Sequence, residues 1–191
     1  SLHDALPIYG VDSATIALSG EEVPVMDGSA RAFSRALANN VVELAGSKKR
    51  RVVIRRLVEV DAADDDTSLR IPRGYRTASF APVDVSALEF DVQIDFGDRI
   101  QVGAGGVQRR RYALGADFEH EIADARTFSF EDDLAQMRAG GFIKGGSLDC
   151  AVLFGLDGRC VTPGGLRYDD EPCRHKILDC IGDLSLDRKS T

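Results

Sequence analysis

At 191 residues, with 43% hydrophobic and 29% charged side chains, the chain has the composition of a folded globular protein, which excludes a low-complexity or disordered polypeptide. Its 31 acidic and 24 basic residues leave a formal charge of -7, so the molecule repels phosphate backbones and nucleic acid is not an expected partner. No run approaches the about 18 apolar residues of a membrane span, and Cys150, Cys160, Cys173 and Cys180 lack C-x-x-C spacing, as expected of reduced thiols in the cytoplasm.

Ser13 to Leu18 reads as a short strand, followed by a polar loop from Glu21 to an Asp27-Gly28 turn. A helix is expected next, with Ser29 as N-cap and Phe33, Leu37 and Val41 recurring as one apolar stripe. Lys48 to Arg51 is a basic run beside an expected domain boundary at Gly46 to Arg50. Arg51 to Val60 is strand-like, and the acidic segment Ala62 to Thr67 reads as a hairpin tip.

The strongest strand pattern is Leu88 to Phe96, where Leu88, Phe90, Val92, Ile94 and Phe96 alternate with Glu89, Asp91, Gln93 and Asp95. A second basic run, Arg109 to Arg111, is either a solvated strand end or an anion site. Asp117 to Ala123 predicts a short helix with Phe118 and Ile122 inward and His120 outward. Glu131 to Ala139 predicts another, stopped by Gly140-Gly141. Cys150 to Phe154 is a short apolar strand. Helices and strands mix without regular βαβ alternation or a phosphate loop, so the expected class is α+β.

Asp169-Asp170-Glu171-Pro172 predicts a helix start. At about 100° per residue, Cys173, Ile177, Cys180, Ile181 and Leu184 share one face, and His175, Asp179 and Asp183 lie opposite. An imidazole and a carboxylate at i and i+4 stand about 5–6 Å apart at Cβ, within reach of one zinc ion. The same spacing also suits a merely solvated face. The helix dipole disfavours Asp179 and Asp183 in late turns, and Gly182 lowers helix propensity, so this side works against its own helix, as functional residues do.

Four motifs occur in order: VPVMDGSA at 23–30, ARTFSF at 125–130, GGSLDCA at 145–151 and GLRYDDEPCRHKILDCIGDL at 165–184. Together they resemble the UDP-3-O-acyl-N-acetylglucosamine deacetylases, zinc amidases of lipid A biosynthesis in Gram-negative bacteria. The resemblance covers roughly residues 10–186. It implies two similar α+β domains, each a mostly antiparallel sheet packed on helices, with the active site between them in a monomer.

The resemblance makes His175 and Asp179 metal ligands for Zn2+, Lys176 a substrate- and charge-holding residue, and Thr127 the hydroxyl beside the oxyanion. Asp183 matches an acid that orients a catalytic histidine. Phe128 and Phe130 match aromatics of the substrate cleft, and Asp133 a polar residue near the sugar. Leu148, Cys150 and Leu153 fall where the family builds its acyl-chain passage, although core packing would explain them equally well. The implied chemistry is hydrolysis of the N-acetyl group of UDP-3-O-acyl-N-acetylglucosamine.

The pattern breaks at both ends. The family's Glu-His pair, its general base and first ligand, would place the histidine at Ser1, leaving His3 two residues off register. Residues 1–8 and 187–191 are expected to be non-native segments, with 9–50 the end of a first α+β domain and 51–186 most of a second. The chain is therefore expected to be an inactive fragment lacking the base, a ligand and the acid. A competing reading is a non-catalytic UDP-sugar-binding module, and another is an interaction domain with a solvated helix face.

Overall fold

The computed structural model describes residues 2–11, 14–20, 23–42, 53–61, 77–83, 88–134 and 150–186. The chain divides into two compact units, one of residues 1–42 and 87–191, the other of residues 43–86. The expected boundary at 46–50, the basic run at 48–51, the acidic run at 62–67, Gly140-Gly141, Leu148 and the tail at 187–191 lie outside the described residues.

In the smaller unit, β1 (Val58–Asp61) pairs antiparallel with β2 (Thr77–Phe80), Val58 opposite Phe80 and Asp61 opposite Thr77. The strand expected over 51–60 is shorter than its β-branched pattern suggests, because residues 53–57 are irregular and Val53 and Leu57 are exposed.

In the larger unit, β3 (Glu89–Asp95) pairs antiparallel with β4 (Val107–Ala113), with Phe90 opposite Tyr112 and Ile94 opposite Gln108. Alternation in β3 does what its sequence requires: Phe90 is buried, Val92 and Ile94 are half-buried, and the acidic residues between them face water. Leu88, expected inward, is exposed just before the strand begins.

The basic run of β4 is neutralised from two sides. Arg109 and Arg111 both bond Asp91, whose carboxyl they hold well below the usual carboxylate range. Arg110, on the other face, reaches Glu121 at 2.7 Å and Asp170 at 3.2 Å. With acidic partners already in place, this run is not an open anion site.

The described residues of this unit also include the helices α1 (Leu2–Ala5), α2 (Arg31–Ala38), α3 (Phe118–Glu121) and α4 (Glu171–Leu186). Phe90, Tyr112, Phe118, Ile122, Ile177, Leu178 and Ile181 form the main core, with Ala5, Ala30 and Ala123 admitting close approach. Burying one such large apolar side chain contributes about 1.5–3 kcal/mol.

Asp117 caps α3 by accepting the His120 amide, and the exposed His120 ring returns to the same carboxylate, as the outward orientation expected of it allows. In α2, Phe33 and Leu37 pack on the core, but the helix ends before Val41, which is exposed. Ala30 holds the N-cap position expected of Ser29, whose hydroxyl instead links the Arg31 amide to Asp27.

A second, aromatic core lies under β5 (Phe128–Phe130) and β6 (Val152–Phe154), which pair in parallel. Phe96, Phe128, Phe130 and Phe154 meet at centroid separations of 5.4–6.4 Å, mostly edge to face or tilted. The parallel pairing is not legible in the sequence, where β5 is too short to show a period. Residues 14–18, expected as a strand, are irregular and leave Ile16 and Leu18 exposed; residues 131–134 are helical as expected.

The architecture is α+β, built from small ladders and helices. Among the described residues no helix is long and apolar enough to cross a membrane.

Candidate active site

The site is built on α4, which is less two-sided than its sequence suggests. Cys173, Ile177 and Ile181 are buried as the apolar face requires and Cys180 is half-buried, but Glu171, Pro172, His175 and Leu178 are buried too, and Leu184 is exposed rather than inward. On the polar side His175 is buried, Asp179 half-buried and Asp183 exposed. Ala125 and Arg126, between α3 and β5, meet the helix at His175 and Glu171.

His175 is 5% exposed, and its Nδ1 stands 2.9 Å from the carbonyl oxygen of Ala125. A carbonyl only accepts, so Nδ1 carries the proton and the lone pair of the neutral ring is on Nε2. Burial holds the imidazole below the usual histidine range, against the opposing pull of Asp179. The ring is therefore neutral near pH 7, with Nε2 3.4 Å from Asp179 Oδ1. That separation is too long for a firm hydrogen bond.

The other Asp179 oxygen accepts from Lys176 Nζ at 2.8 Å, and the same ammonium lies 5.6 Å from the centroid of the Phe128 ring. Asp179 thus stands between the Nε2 lone pair of His175 and the Lys176 ammonium. Because α4 runs on to Leu186, Asp179 sits two turns inside the helix, and the dipole cost expected for it falls only on the exposed Asp183 in the last turns.

Thr127 follows the carbonyl that holds His175 by two residues. Its amide donates to Gly28 O at 2.9 Å, and its own carbonyl accepts the Val152 amide at 2.7 Å. Gly28 is indispensable there: its φ is +81°, and a Cβ would collide with the Cys150 carbonyl oxygen and crowd Thr127 Cγ2. The Asp27-Gly28 turn is therefore the seat of the threonine.

The remaining expected residues are distributed unevenly. Phe128 is half-buried beside Lys176, Phe130 is buried in the aromatic core, and Leu153 is buried on β6. Asp133 is half-exposed and bonds Arg99 at 2.9 Å, and Arg99 in turn lies over the Phe130 ring at 3.8 Å. Cys150 is half-buried.

Gly182 faces α1: a Cβ there would strike the Asp4 carboxylate and the His3 ring. His3 Nε2 is 2.7 Å from Asp4 Oδ1. Among the described residues no group of three or more His, Cys, Asp or Glu side chains stands where it could hold a metal ion. His175 and Asp179 fit such an ion as a pair of donors: one fixed nitrogen lone pair and one anionic oxygen on the same helical face.

Two buried residues were missed by reading motifs alone. Glu171 stands where the sequence predicts a helix cap, but its carboxylate is fully buried and accepts from Arg126 N at 3.0 Å, Arg126 Nε at 2.8 Å and Arg167 N at 2.7 Å. Gln108, from β4, accepts the Cys173 amide at 3.2 Å and so caps α4 from a distant strand.

The chain is similar to known deacetylases. A deacetylase of the same description from Myxococcus xanthus (strain DK1622), UDP-3-O-acyl-N-acetylglucosamine deacetylase, is 37% identical over 185 residues, covering 95% of this chain and 52% of that protein. Those from Campylobacter fetus subsp. fetus (strain 82-40) and Pseudoalteromonas translucida (strain TAC 125) are 40% and 34% identical, covering 97% and 94% of this chain and 57% and 54% of theirs. The chain thus spans about half the length of the curated relatives it matches. The pattern of one family, LpxC: UDP-3-O-acyl N-acetylglycosamine deacetylase, matches residues 2–190, and the chain belongs to that family.

Proposed function

We propose that this chain supplies part of the active site of a zinc-dependent deacetylase, acting in the cytoplasm as a monomer, that hydrolyses the N-acetyl group of UDP-3-O-acyl-N-acetylglucosamine for lipid A synthesis. The observation that carries the reading is the His175 ring, buried, neutral, and fixed with its Nε2 lone pair toward Asp179.

His175 and Asp179 would hold the zinc ion. Bound there, zinc would supply a Lewis acid for the amide carbonyl and bring the pKa of a water toward about 7. The chain's own residues do the rest of the work available to them. Lys176 bonds Asp179 and presents a cation beside Phe128, where it can hold an anionic substrate group or developing charge. Thr127, seated by Gly28, offers a hydroxyl to the oxyanion.

Phe128 walls the sugar side of the cleft, with Phe130 packed behind it. Asp133 serves the sugar, and Leu148, Cys150 and Leu153 serve the acyl chain. Asp183 orients the histidine that protonates the leaving amine. With two metal donors among its described residues, the 191-residue chain alone is expected to bind zinc weakly and to turn over orders of magnitude more slowly than a protein with the full set.

The test is acetate release from UDP-3-O-acyl-N-acetylglucosamine by the reading frame containing this sequence, with zinc added or chelated, beside its His175→Ala variant. Loss of activity on chelation and in the variant is expected. Equal turnover in all three preparations would overturn the proposal.

A further inference from the structure

Segment 125–127 is tied to α4 at two points. One is the Ala125 carbonyl on His175. The other is Arg126, whose backbone amide and Nε both donate to Glu171 Oε1, while its Nη2 donates to Glu171 Oε2 at 3.2 Å and to the Gly165 carbonyl at 2.7 Å. Arg126 is 7% exposed and Glu171 0%. The segment preceding the helix is drawn into the same carboxylate through the Arg167 amide.

We propose that the buried Arg126–Glu171 pair is a positioning device that holds the Ala125 carbonyl against α4, keeping His175 protonated on Nδ1 with its Nε2 lone pair toward Asp179. The inference rests on the reading of His175 as a ligand for its purpose, and its geometry on the bonds that tie Ala125 and Arg126 to α4.

Glu171 and His175 stand four residues apart on α4, and Arg126 adjoins Ala125, so the ion pair and the imidazole bond join the same two segments one helical turn apart. A single hydrogen bond leaves the carbonyl free to swing about the contact. A second, bidentate anchor one turn away removes that freedom, because the guanidinium plane and the carboxylate fork admit a narrow range of orientations. When the carbonyl shifts away, Nδ1 loses its acceptor, and the neutral ring is free to place its proton on either nitrogen.

The experiment reads the ring directly. Long-range proton–nitrogen NMR on the 191-residue chain, with His3→Gln and His120→Gln introduced so that His175 is the one histidine left of three, reports which nitrogen is protonated. The parent is expected to show a single Nδ1-protonated tautomer. Because Glu171→Gln strands a buried guanidinium and can unfold the chain, the deciding variant is Arg126→Met with Glu171→Leu, which removes both charges together.

In that folded double variant the His175 signals are expected to move to an average of the two tautomers, and Arg126→Lys, which keeps the charge but not the fork, is expected to fall between. A folded double variant whose ring stays wholly Nδ1-protonated overturns the proposal. A ring that shifts as expected in a protein whose activity ignores zinc would sustain this inference and sink the proposed function. The opposite pair of results would do the reverse.

Discussion

Gln108 and Cys173 join a strand to the first turn of the site helix: the Gln108 carboxamide oxygen accepts the Cys173 amide at 3.2 Å, and its nitrogen donates to the Gly105 carbonyl at 2.9 Å. Both residues are buried. Gln108→Leu keeps the volume and removes both bonds, leaving a helix-terminal N–H without a partner. The expected loss is about 1–3 kcal/mol in urea unfolding. A change within about 0.5 kcal/mol, the range of surface substitutions, would mean that the cap contributes nothing.

Gly28→Ala should be costlier. A left-handed backbone costs a non-glycine residue about 1–2 kcal/mol, and here the new methyl also meets the backbone of Cys150. The sum is expected to reach about 3 kcal/mol or more. Because the turn seats Thr127, activity of the complete enzyme should fall further than stability alone explains. A variant with parental Tm would show that the turn can open without harm.

The acid side of the stability profile should depend on Asp27. Burial pushes its carboxyl upward, but the Ser29 hydroxyl and the Arg167 guanidinium outweigh that and hold it below the unfolded value of 3.8. A group with a depressed folded pKa contributes stability that is fully present above 3.8 and is lost as the pH falls through the lower folded value. The pair is more than a third exposed on each side within rounding, so the contribution is modest. Tm followed from pH 5 down to pH 2 should fall less steeply in Asp27→Asn than in the parent, and parallel curves would remove Asp27 from the account.

Cys173 should be inert. Burial pushes its thiol up to about 11, and its Sγ lies 3.4 Å from the Val92 carbonyl. At pH 8 about one molecule in 10³ carries the thiolate. Iodoacetamide is therefore expected to leave Cys173 unmodified in the native chain and to label it in urea, as peptide mass mapping will show. Labelling of Cys173 as fast as a free cysteine under native conditions would contradict the packing described.

How much of this was legible in the sequence follows from the range of each signal. Alternation in β3 and the apolar spacing of Ile177 and Ile181 are local and were correctly legible. The juxtaposition of His175 and Asp179 follows from one helical turn. What failed was any inference about what lies on the other side of a helix: a polar stripe reads as wet whether water or a buried backbone segment covers it. The short strand expected at 13–18 failed for a related reason: among the described residues no strand pairs with 14–18, and apolar residues without such a partner are irregular however strand-like their composition. Glu171 shows the same limit, because a carboxylate at a helix start suits the dipole, and nothing nearby in the chain announces Arg126.

The parallel pairing of β5 with β6 makes the order of folding matter. Parallel neighbours cannot be joined by a tight turn, so Thr127 acquires its bond to Val152 only after the chain has travelled out and back across the intervening residues. Such long-range closure is slow compared with helix formation. The helix bearing His175 can therefore form early, while the floor on which its chemistry depends is among the later parts of the molecule to assemble.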